Sequence, residues 1–183
     1  MKPAQVDVDK LSPLEAKHFQ MVARWHTHFT PNSVLDVGCG WGHFLFAWAQ
    51  YPKLGVHGIS GLELDQKRID KCPYTEVKER IKQGSVLSIP YSGGFGLVIG
   101  NDLLEHIEER DVDLAIIELA KQVHPVTGRL LLSICYEGDP NYLKDPTHQV
   151  CKPKVWWQEK LRSHGLTEEE VPEYFMYKEQ YTI

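Results

Sequence analysis

Three glycines at alternate positions, Gly38, Gly40 and Gly42, form the most chemically suggestive pattern in the sequence. They follow a short β-branched run, residues 33–37, and precede a helix-compatible run, residues 43–49. A strand, a glycine turn and a helix place backbone N–H groups at the carboxyl edge of a sheet, where open α/β proteins bind ligands. The spacing differs from the dinucleotide fingerprint G-x-G-x-x-G and from the phosphate-binding P-loop. The pattern indicates a ligand site, with a purely structural turn as the alternative.

An acidic side chain, Glu63, stands 21 positions after Gly42, at the predicted end of the second strand. At this separation, folds of this kind present a carboxylate to ribose, because the carboxylate accepts hydrogen bonds from both hydroxyls. Taken alone, Glu63 would more often be a solvated charge at a strand end. Together with the glycine turn it favours a ligand that contains a nucleoside.

Alternating strands and helices must position these residues. Ser12, Pro13 and Glu15 predict the capped start of a helix that runs to about His28. The remaining predictions are strands at residues 33–37, 59–64, 80–86, 95–100, 128–135 and 171–177, helices at 43–49, 65–72, 110–124 and 154–164, and a loop at 138–151. This order predicts an α/β fold with a mostly parallel central sheet flanked by helices. We expect a single domain over residues 1–183, in which residues 1–30 form a helical lead-in.

The composition narrows the class of protein. Hydrophobic residues make up 42% of the chain, as in an ordinary globular protein. The chain has 20 basic and 25 acidic residues and no dense basic cluster, so we expect no nucleic-acid partner. No apolar run reaches the ~18 residues of a membrane helix, and the N-terminus lacks a signal-peptide core, so we expect a cytoplasmic protein without membrane association. The four cysteines show no C-x-x-C spacing, so we expect reduced thiols and no metal site.

Four segments in order carry a family resemblance. The segments are V-L-D-V-G-C-G-W-G at 34–42, G-L-E-L-D at 61–65, G-S-V-L-S-I-P at 84–90 and F-G-L-V-I-G-N-D-L-L-E-H-I at 95–107. They resemble the strand-end motifs of class I S-adenosylmethionine-dependent methyltransferases, and the likeness extends over about residues 14–166. The resemblance implies a Rossmann-like class I methyltransferase fold, an enzyme, and S-adenosyl-L-methionine as cofactor.

The resemblance also implies a cofactor site. The glycine loop with Asp36 would hold the methionine end, Glu63 would bind the ribose, and Leu64 and Val86 would flank the adenine. Ser85 stands where many relatives have an aspartate facing the adenine amino group, and it can still accept a hydrogen bond. The cofactor-binding residues we predict are Asp36, Gly38, Cys39, Gly40, Gly42, Glu63, Leu64, Ser85, Val86, Asn101 and Asp102.

Methyl transfer to a hydroxyl requires alignment of the acceptor and removal of a proton. His148, in the segment D-P-T-H, is the first candidate for the general base, because imidazole titrates near neutral pH and Asp145 could orient it. His106 is the second candidate. For each histidine a structural role is the alternative: shaping the loop for His148, and packing beneath the cofactor for His106.

The sequence disfavours two acceptor classes. Relatives that methylate nucleobase amines carry Asn/Asp-Pro-Pro-aromatic after the fourth strand, whereas this chain has N-D-L-L at 101–104, and no cysteine follows a proline as in cytosine carbon-5 enzymes. The segment from Asp145 to Trp157 resembles the tail of family members that modify small molecules or sugars. We therefore expect O-methylation of a small-molecule or glycan-type acceptor.

Two other readings of the fold stay open. A non-catalytic cofactor-binding or partner-activating subunit would use the same domain, and so would a nicotinamide-dependent oxidoreductase, against which the glycine spacing speaks. The sequence also leaves open whether the chain forms a homo-oligomer or works with a partner subunit.

Overall fold

The computed structural model describes residues 11–140 and 144–171. Its first element is helix α1, Pro13–Phe29, and the predicted capping box is confirmed. The Ser12 hydroxyl accepts a hydrogen bond from the Glu15 backbone N–H at 3.3 Å, while the Glu15 carboxylate accepts from the Ser12 N–H at 2.9 Å. Met21, Val22 and Trp25 on one side of α1 are buried. Helix α1 is therefore docked on the domain through this apolar face.

Five parallel strands form the central sheet, in the order β3-β2-β1-β4-β5. The strands are β1 Val34–Val37, β2 Ile59–Glu63, β3 Ile81–Gln83, β4 Leu97–Asn101 and β5 Arg129–Ser133. The chain builds outward from β1 through β2 to β3, and then crosses back to add β4 and β5 on the other side. The strand order reverses between β1 and β4, and in open parallel sheets ligands bind at the carboxyl edge of such a switch point.

Helices cover both faces of the sheet. They are α2 His43–Ala49, α3 Gln66–Asp70, α4 Thr75–Lys78, α5 Val112–Gln122 and α6 Lys154–Ser163, together with short 3₁₀ turns at Val56–Gly58, Leu104–His106 and Glu109–Asp111. On one face Trp25 and Trp48 belong to a single buried cluster, and on the other Leu119 and Trp157 belong to a second. This architecture confirms the predicted Rossmann-like α/β fold.

Two predicted elements differ in the structure. The strand expected at 80–86 ends at Gln83, because the Ser85 hydroxyl accepts a hydrogen bond from the Leu87 N–H and forms a turn. The helix expected at 65–72 ends at Asp70, and an unpredicted helix, α4, follows Pro73. The last predicted strand, 171–177, falls almost wholly outside the described residues, and Val171 itself is not in a strand.

Among the described residues, no helix is both long and apolar enough to cross a bilayer.

The close approach of three side chains to Gly61 makes this position sensitive to substitution. A Cβ there would lie 2.6 Å from Leu45 Cδ1 and 2.9 Å from Cys39 Sγ. We expect Gly61→Ala to lower the free energy of unfolding by about 1–3 kcal/mol, the range for overpacking a core, as measured by urea denaturation.

Gly165→Ala is the comparison variant, because Gly165 has open space around it and a left-handed backbone (φ 78°). Its expected cost is about 1 kcal/mol, from backbone strain alone. A Gly61→Ala protein as stable as the parent would contradict the packing described for β2.

Candidate active site

The turn between β1 and α2 is built from left-handed glycines. Gly38, Gly40 and Gly42 have φ values of 77°, 57° and 78°, a region that side chains rarely tolerate. At Gly42, the N-cap of α2, a Cβ would also crowd Val77 at 3.1 Å. The glycine spacing therefore follows from backbone geometry at each of the three positions.

The loop uses most of its backbone donors internally. The N–H groups of Gly38 and Cys39 both donate to the Leu62 carbonyl, at 2.8 and 3.1 Å, and that of Gly42 donates to the Cys39 carbonyl at 2.9 Å. The Gly40 N–H donates to Glu63 Oε2 at 2.8 Å. These N–H groups were expected to face a ligand. In the structure they instead form hydrogen bonds within the protein and fix the loop against β2. The loop therefore shapes the cavity more than it supplies hydrogen-bond donors to a ligand.

Glu63 is the buried anchor of this loop. Its Oε2 holds Gly40, and its Oε1 accepts from the Asp65 N–H at 2.9 Å, so that one carboxylate ties together the ends of two loops. Each carboxylate oxygen keeps a second lone pair, which leaves Glu63 able to accept a ribose hydroxyl as well. The anchoring role has no signature in the sequence beyond the position of Glu63 at a strand end.

A cavity of about 560 Å³ opens above the glycine loop, between α1, α3 and the end of β4. This volume lies within the range of small-molecule sites. The lining residues are His18, Asp36, Gly38, Cys39, Gly40, Trp41, His43, Phe44, Asp65, Lys67, Arg68, Lys71 and Asn101. Five predicted cofactor residues, Asp36, Gly38, Cys39, Gly40 and Asn101, thus meet at one cavity.

Besides the ring nitrogens His18 Nδ1 and His43 Nε2, two oxygen atoms of cavity residues lack hydrogen-bond partners within the described part of the chain. They are Asp36 Oδ2 and Asn101 Oδ1, both buried. Burial, and secondarily the charge of Glu63, raises the pKa of Asp36 to about 7. Unsatisfied buried acceptors are costly, and a ligand that brings N–H donors or positive charge to this end of the cavity would satisfy them.

The other six predicted cofactor residues lie outside the cavity lining: Gly42, Glu63, Leu64, Ser85, Val86 and Asp102. Leu64 is 68% exposed, Val86 is buried in the core, and Ser85 is occupied by its turn. The Asp102 carboxylate accepts from the Ser133 hydroxyl at 2.7 Å and from the Asn101 amide at 3.0 Å. Asp102 therefore joins the ends of β4 and β5.

Several residues that line the cavity were not predicted from the sequence. The His18 ring stacks on His43 with centroids 5.3 Å apart, and burial lowers the pKa of His18 to about 4, which keeps it neutral at pH 7. Lys67, Arg68 and Lys71 line the side formed by α3. None of these residues belongs to a recognisable motif, because they meet only when α1 and α3 pack around the glycine loop.

The two candidate bases meet beyond the end of β4. His106 lies on the 3₁₀ turn Leu104–His106, and its ring centroid is 4.7 Å from that of His148. The loop that carries His148 is fastened to this turn, because the N–H groups of Gln149 and Val150 donate to the Glu105 carbonyl at 2.7 and 3.1 Å. Residues 42 positions apart in sequence are thus neighbours, and the Glu105 side chain lies with them.

Asp145 is hydrogen-bonded toward His106, and its carboxylate interacts electrostatically with both His106 and His148. Its Oδ1 accepts from the N–H and the hydroxyl of Thr147, at 2.9 and 2.6 Å. The Thr147 hydroxyl oxygen and carbonyl lie 2.9 and 3.3 Å from Nδ1 of His106. A carbonyl only accepts, so Nδ1 of His106 carries the proton and Nε2 carries the lone pair. The hydrogen bonds of Asp145 thus reach His106 through Thr147, and the orientation of His148 by Asp145 stays a prediction.

Glu105 is the buried member of this group. Its Oε1 accepts from the Cys135 N–H at 2.9 Å, whereas its Oε2 is buried and has no partner among the described residues. Burial raises the pKa of Glu105 to about 8. Glu105 belongs to the family-like segment at 95–107, but no role was predicted for it, because its burial follows only from the packing around it.

Comparison with known proteins agrees with this geometry. The methyltransferase-domain family matches residues 34–126, which are 93 of the 183 residues. A search of curated protein sequences finds no match.

Solved structures with the same fold include three that bear on the site. An O-methyltransferase family protein from Burkholderia thailandensis is 18% identical, with a TM-score of 0.66 over 94% of this chain and 56% of its own. A SAM-dependent methyltransferase from Archaeoglobus fulgidus is 17% identical, with a TM-score of 0.66 over 87% and 75%. The glycopeptide N-methyltransferase MtfA, in complex with S-adenosyl-L-methionine, is 18% identical, with a TM-score of 0.53 over 66% and 51%.

The chain spans only 51% to 60% of the length of several such neighbours. At these identities the neighbours establish the fold, and the family match establishes the class of domain. The parallel sheet flanked by helices agrees with both. The chain belongs to the class I S-adenosyl-L-methionine-dependent methyltransferases.

Proposed function

We propose that this protein transfers the methyl group of S-adenosyl-L-methionine to a hydroxyl oxygen of a small-molecule or glycan-type acceptor. The observation that carries the proposal is the pairing of a glycine-loop cavity with unsatisfied acceptor atoms and, beside it, a cluster of two histidines and a buried glutamate. S-adenosyl-L-methionine supplies an electrophilic methyl group on a positively charged sulfur. The chain must bind that ligand, align the acceptor and let a proton leave.

The balance of donors and acceptors favours this ligand over a dinucleotide. A pyrophosphate needs backbone N–H donors, and four N–H groups of the glycine loop are already bonded within the protein. Two buried oxygens without partners among the described residues, Asp36 Oδ2 and Asn101 Oδ1, suit an ammonium group such as that of methionine. On the other side of the cavity, Lys67, Arg68 and Lys71 provide positive charge for a carboxylate.

The histidine cluster supports a hydroxyl acceptor. Asp102 links it to the cavity, because it follows Asn101 and bonds to its amide, and the charges of His106 and His148 act on the Asp102 carboxyl. An acceptor between Asn101 and His106 would therefore have its hydroxyl beside the cluster, to which we assign the loss of the hydroxyl proton. A neutral amine already has a lone pair to attack with and would need no such group, so N-methylation is the alternative outcome.

Cofactor binding tests the proposal first. We expect S-adenosyl-L-methionine and S-adenosylhomocysteine to bind with micromolar dissociation constants in isothermal titration calorimetry, because both bring an ammonium group to Asp36 and Asn101. NAD should not bind with comparable affinity, because the N–H groups of the glycine loop that a pyrophosphate would need are already hydrogen-bonded within the protein. Tight NAD binding without binding of either sulfur ligand would show an oxidoreductase.

Glu63 tests the nucleoside end of the site. We expect Glu63→Ala to weaken cofactor binding by roughly 1.5–3 kcal/mol, because the ribose loses a charged acceptor and Gly40 loses its anchor. Glu63→Gln keeps an acceptor oxygen but carries no charge, so its dissociation constant for the cofactor should lie between those of Glu63→Ala and the parent. The control is Asp70→Ala on the solvent side of α3, and the proteins are compared by calorimetry after circular dichroism confirms that they are folded. An unchanged dissociation constant in folded Glu63→Ala would remove Glu63 from the site.

His148 tests the acceptor side. We expect His148→Ala to lower kcat for a hydroxyl acceptor by about 10²–10⁴-fold, the contribution of a positioned proton-removing group, and to leave cofactor affinity within a few-fold of the parent. The control is the exposed His57→Ala, which should retain full turnover. If folded His148→Ala kept turnover within a few-fold of the parent, His148 would be eliminated as the general base, and His106 or positioning alone would remain.

A further inference from the structure

The cluster of Glu105, His106 and His148 combines features that hydrogen bonding within the protein does not explain. Glu105 is fully buried, and only one of its two carboxylate oxygens has a partner, the Cys135 N–H. The other oxygen, Oε2, is buried and has no hydrogen-bond donor among the described residues. A buried carboxylate oxygen is normally paired, so this one is available to a ligand that carries positive charge.

One ring nitrogen of each of two histidines lies close to the Glu105 carboxylate. One potential ligand atom from each of Glu105, His106 and His148 lies within 4.8 Å of the other two. Ligand atoms around a bound divalent cation are separated by roughly 3–3.5 Å, as follows from metal–ligand distances of about 2.0–2.2 Å. Closing the cluster onto an ion therefore requires shifts of roughly 1 Å or less in each side chain.

The surroundings of His106 are those of a metal ligand. A histidine that binds a metal through one ring nitrogen donates its other N–H to a carbonyl or carboxylate, which fixes the ring and its tautomer. His106 donates Nδ1–H to Thr147, and the Thr147 hydroxyl donates to Asp145, so Nε2 keeps its lone pair. The backbone N–H groups of Gln149 and Val150 both donate hydrogen bonds to the Glu105 carbonyl. These two bonds hold the loop that carries His148 next to Glu105 and His106.

We propose that Glu105, His106 and His148 bind a divalent metal ion of the zinc or manganese type, which holds the acceptor's hydroxyl oxygen for methylation. Two imidazoles and one carboxylate form a donor set suited to such first-row ions, and three protein ligands leave coordination positions for an acceptor oxygen. This inference rests on the proposed transfer to oxygen and gives the cluster its means of removing the proton. It also differs from the expectation that no metal is used.

The chemistry balances without a further reactant. The cation lowers the pKa of the acceptor hydroxyl, and the released proton passes to water. The oxygen then forms a bond to the methyl carbon as the bond between sulfur and that carbon breaks, and the electron pair of the broken bond stays on sulfur. His106 and His148 act as ligands in this arrangement, so neither needs to take up the proton itself.

Metal binding can be measured independently of turnover. The full chain is stripped with EDTA, dialysed against Zn²⁺ or Mn²⁺ in separate arms, and assayed for bound metal by mass spectrometry and for thermal stability. We expect one ion per chain in the parent and a higher melting temperature with metal. Glu105→Gln and His148→Ala should each lose the ion, whereas the exposed His57→Ala should retain it.

Two further variants and one assay make the test decisive. Thr147→Val, which removes the hydroxyl behind His106 without touching a ligand, should weaken metal affinity by about 10–100-fold. EDTA should abolish turnover of a hydroxyl acceptor while S-adenosyl-L-methionine still binds by calorimetry, and added Mn²⁺ or Zn²⁺ should restore it. Stripped parent protein that binds no more metal than folded Glu105→Gln, or turnover that EDTA leaves unchanged, would overturn the proposal. Metal bound by a protein that methylates no hydroxyl would leave the site standing and refute only the proposed reaction.

Discussion

The glycine loop keeps its shape because the Glu63 carboxylate accepts hydrogen bonds from two backbone N–H groups at once, those of Gly40 and Asp65. Glu63 ends β2, so this pair of bonds fixes the loop after β1 against the loop after its neighbouring strand. The carboxylate is buried, and hydrogen bonds to a charged acceptor are stronger than those between neutral groups. The shape of the glycine loop, which lines the cavity, therefore depends on one side chain.

The same anchoring decides what kind of ligand the cavity can hold. The backbone N–H groups of the glycine turn already donate to Leu62 and Glu63, so they cannot bind a phosphate. The left-handed glycines still let a ligand approach the backbone closely. At the end of the cavity near β4, Asp36 and Asn101 supply hydrogen-bond acceptors in place of donors. Burial raises the pKa of Asp36 to about 7, and an ammonium group bound there would favour its ionised form. Methyl donors of the sulfonium type carry such a group, and dinucleotides do not.

The sequence was informative wherever chemistry follows from local order. The strand, glycine turn and helix around Gly38 to Gly42 are contiguous, so their residue types alone predicted the turn and its place at the sheet edge. The capped start of α1 was predictable for the same reason, since Ser12 and Glu15 are three positions apart. Glu63 required one further assumption, that β1 and β2 are parallel neighbours, which the sheet confirms.

Features that depend on packing were beyond the sequence. His18 reaches the cavity because α1 lies beside α2, and Lys67 and Arg68 reach it because α3 begins directly after Asp65. The link from Asp145 to His106 was not predictable, because it depends on the loop fold that brings Thr147 between them. Glu105 gained its significance only when its burial and its unpaired oxygen were visible.

A crystal structure of the protein with S-adenosylhomocysteine bound tests the account most directly. It should place the amino group of the ligand within hydrogen-bond distance of Asp36 Oδ2 or Asn101 Oδ1, and the ribose hydroxyls against Glu63, with the sulfur facing His106 and His148. A ligand bound elsewhere, or one seated in the cavity with both acceptor atoms still unpaired and its sulfur turned away from the histidines, would contradict the proposed methyl transfer at this site.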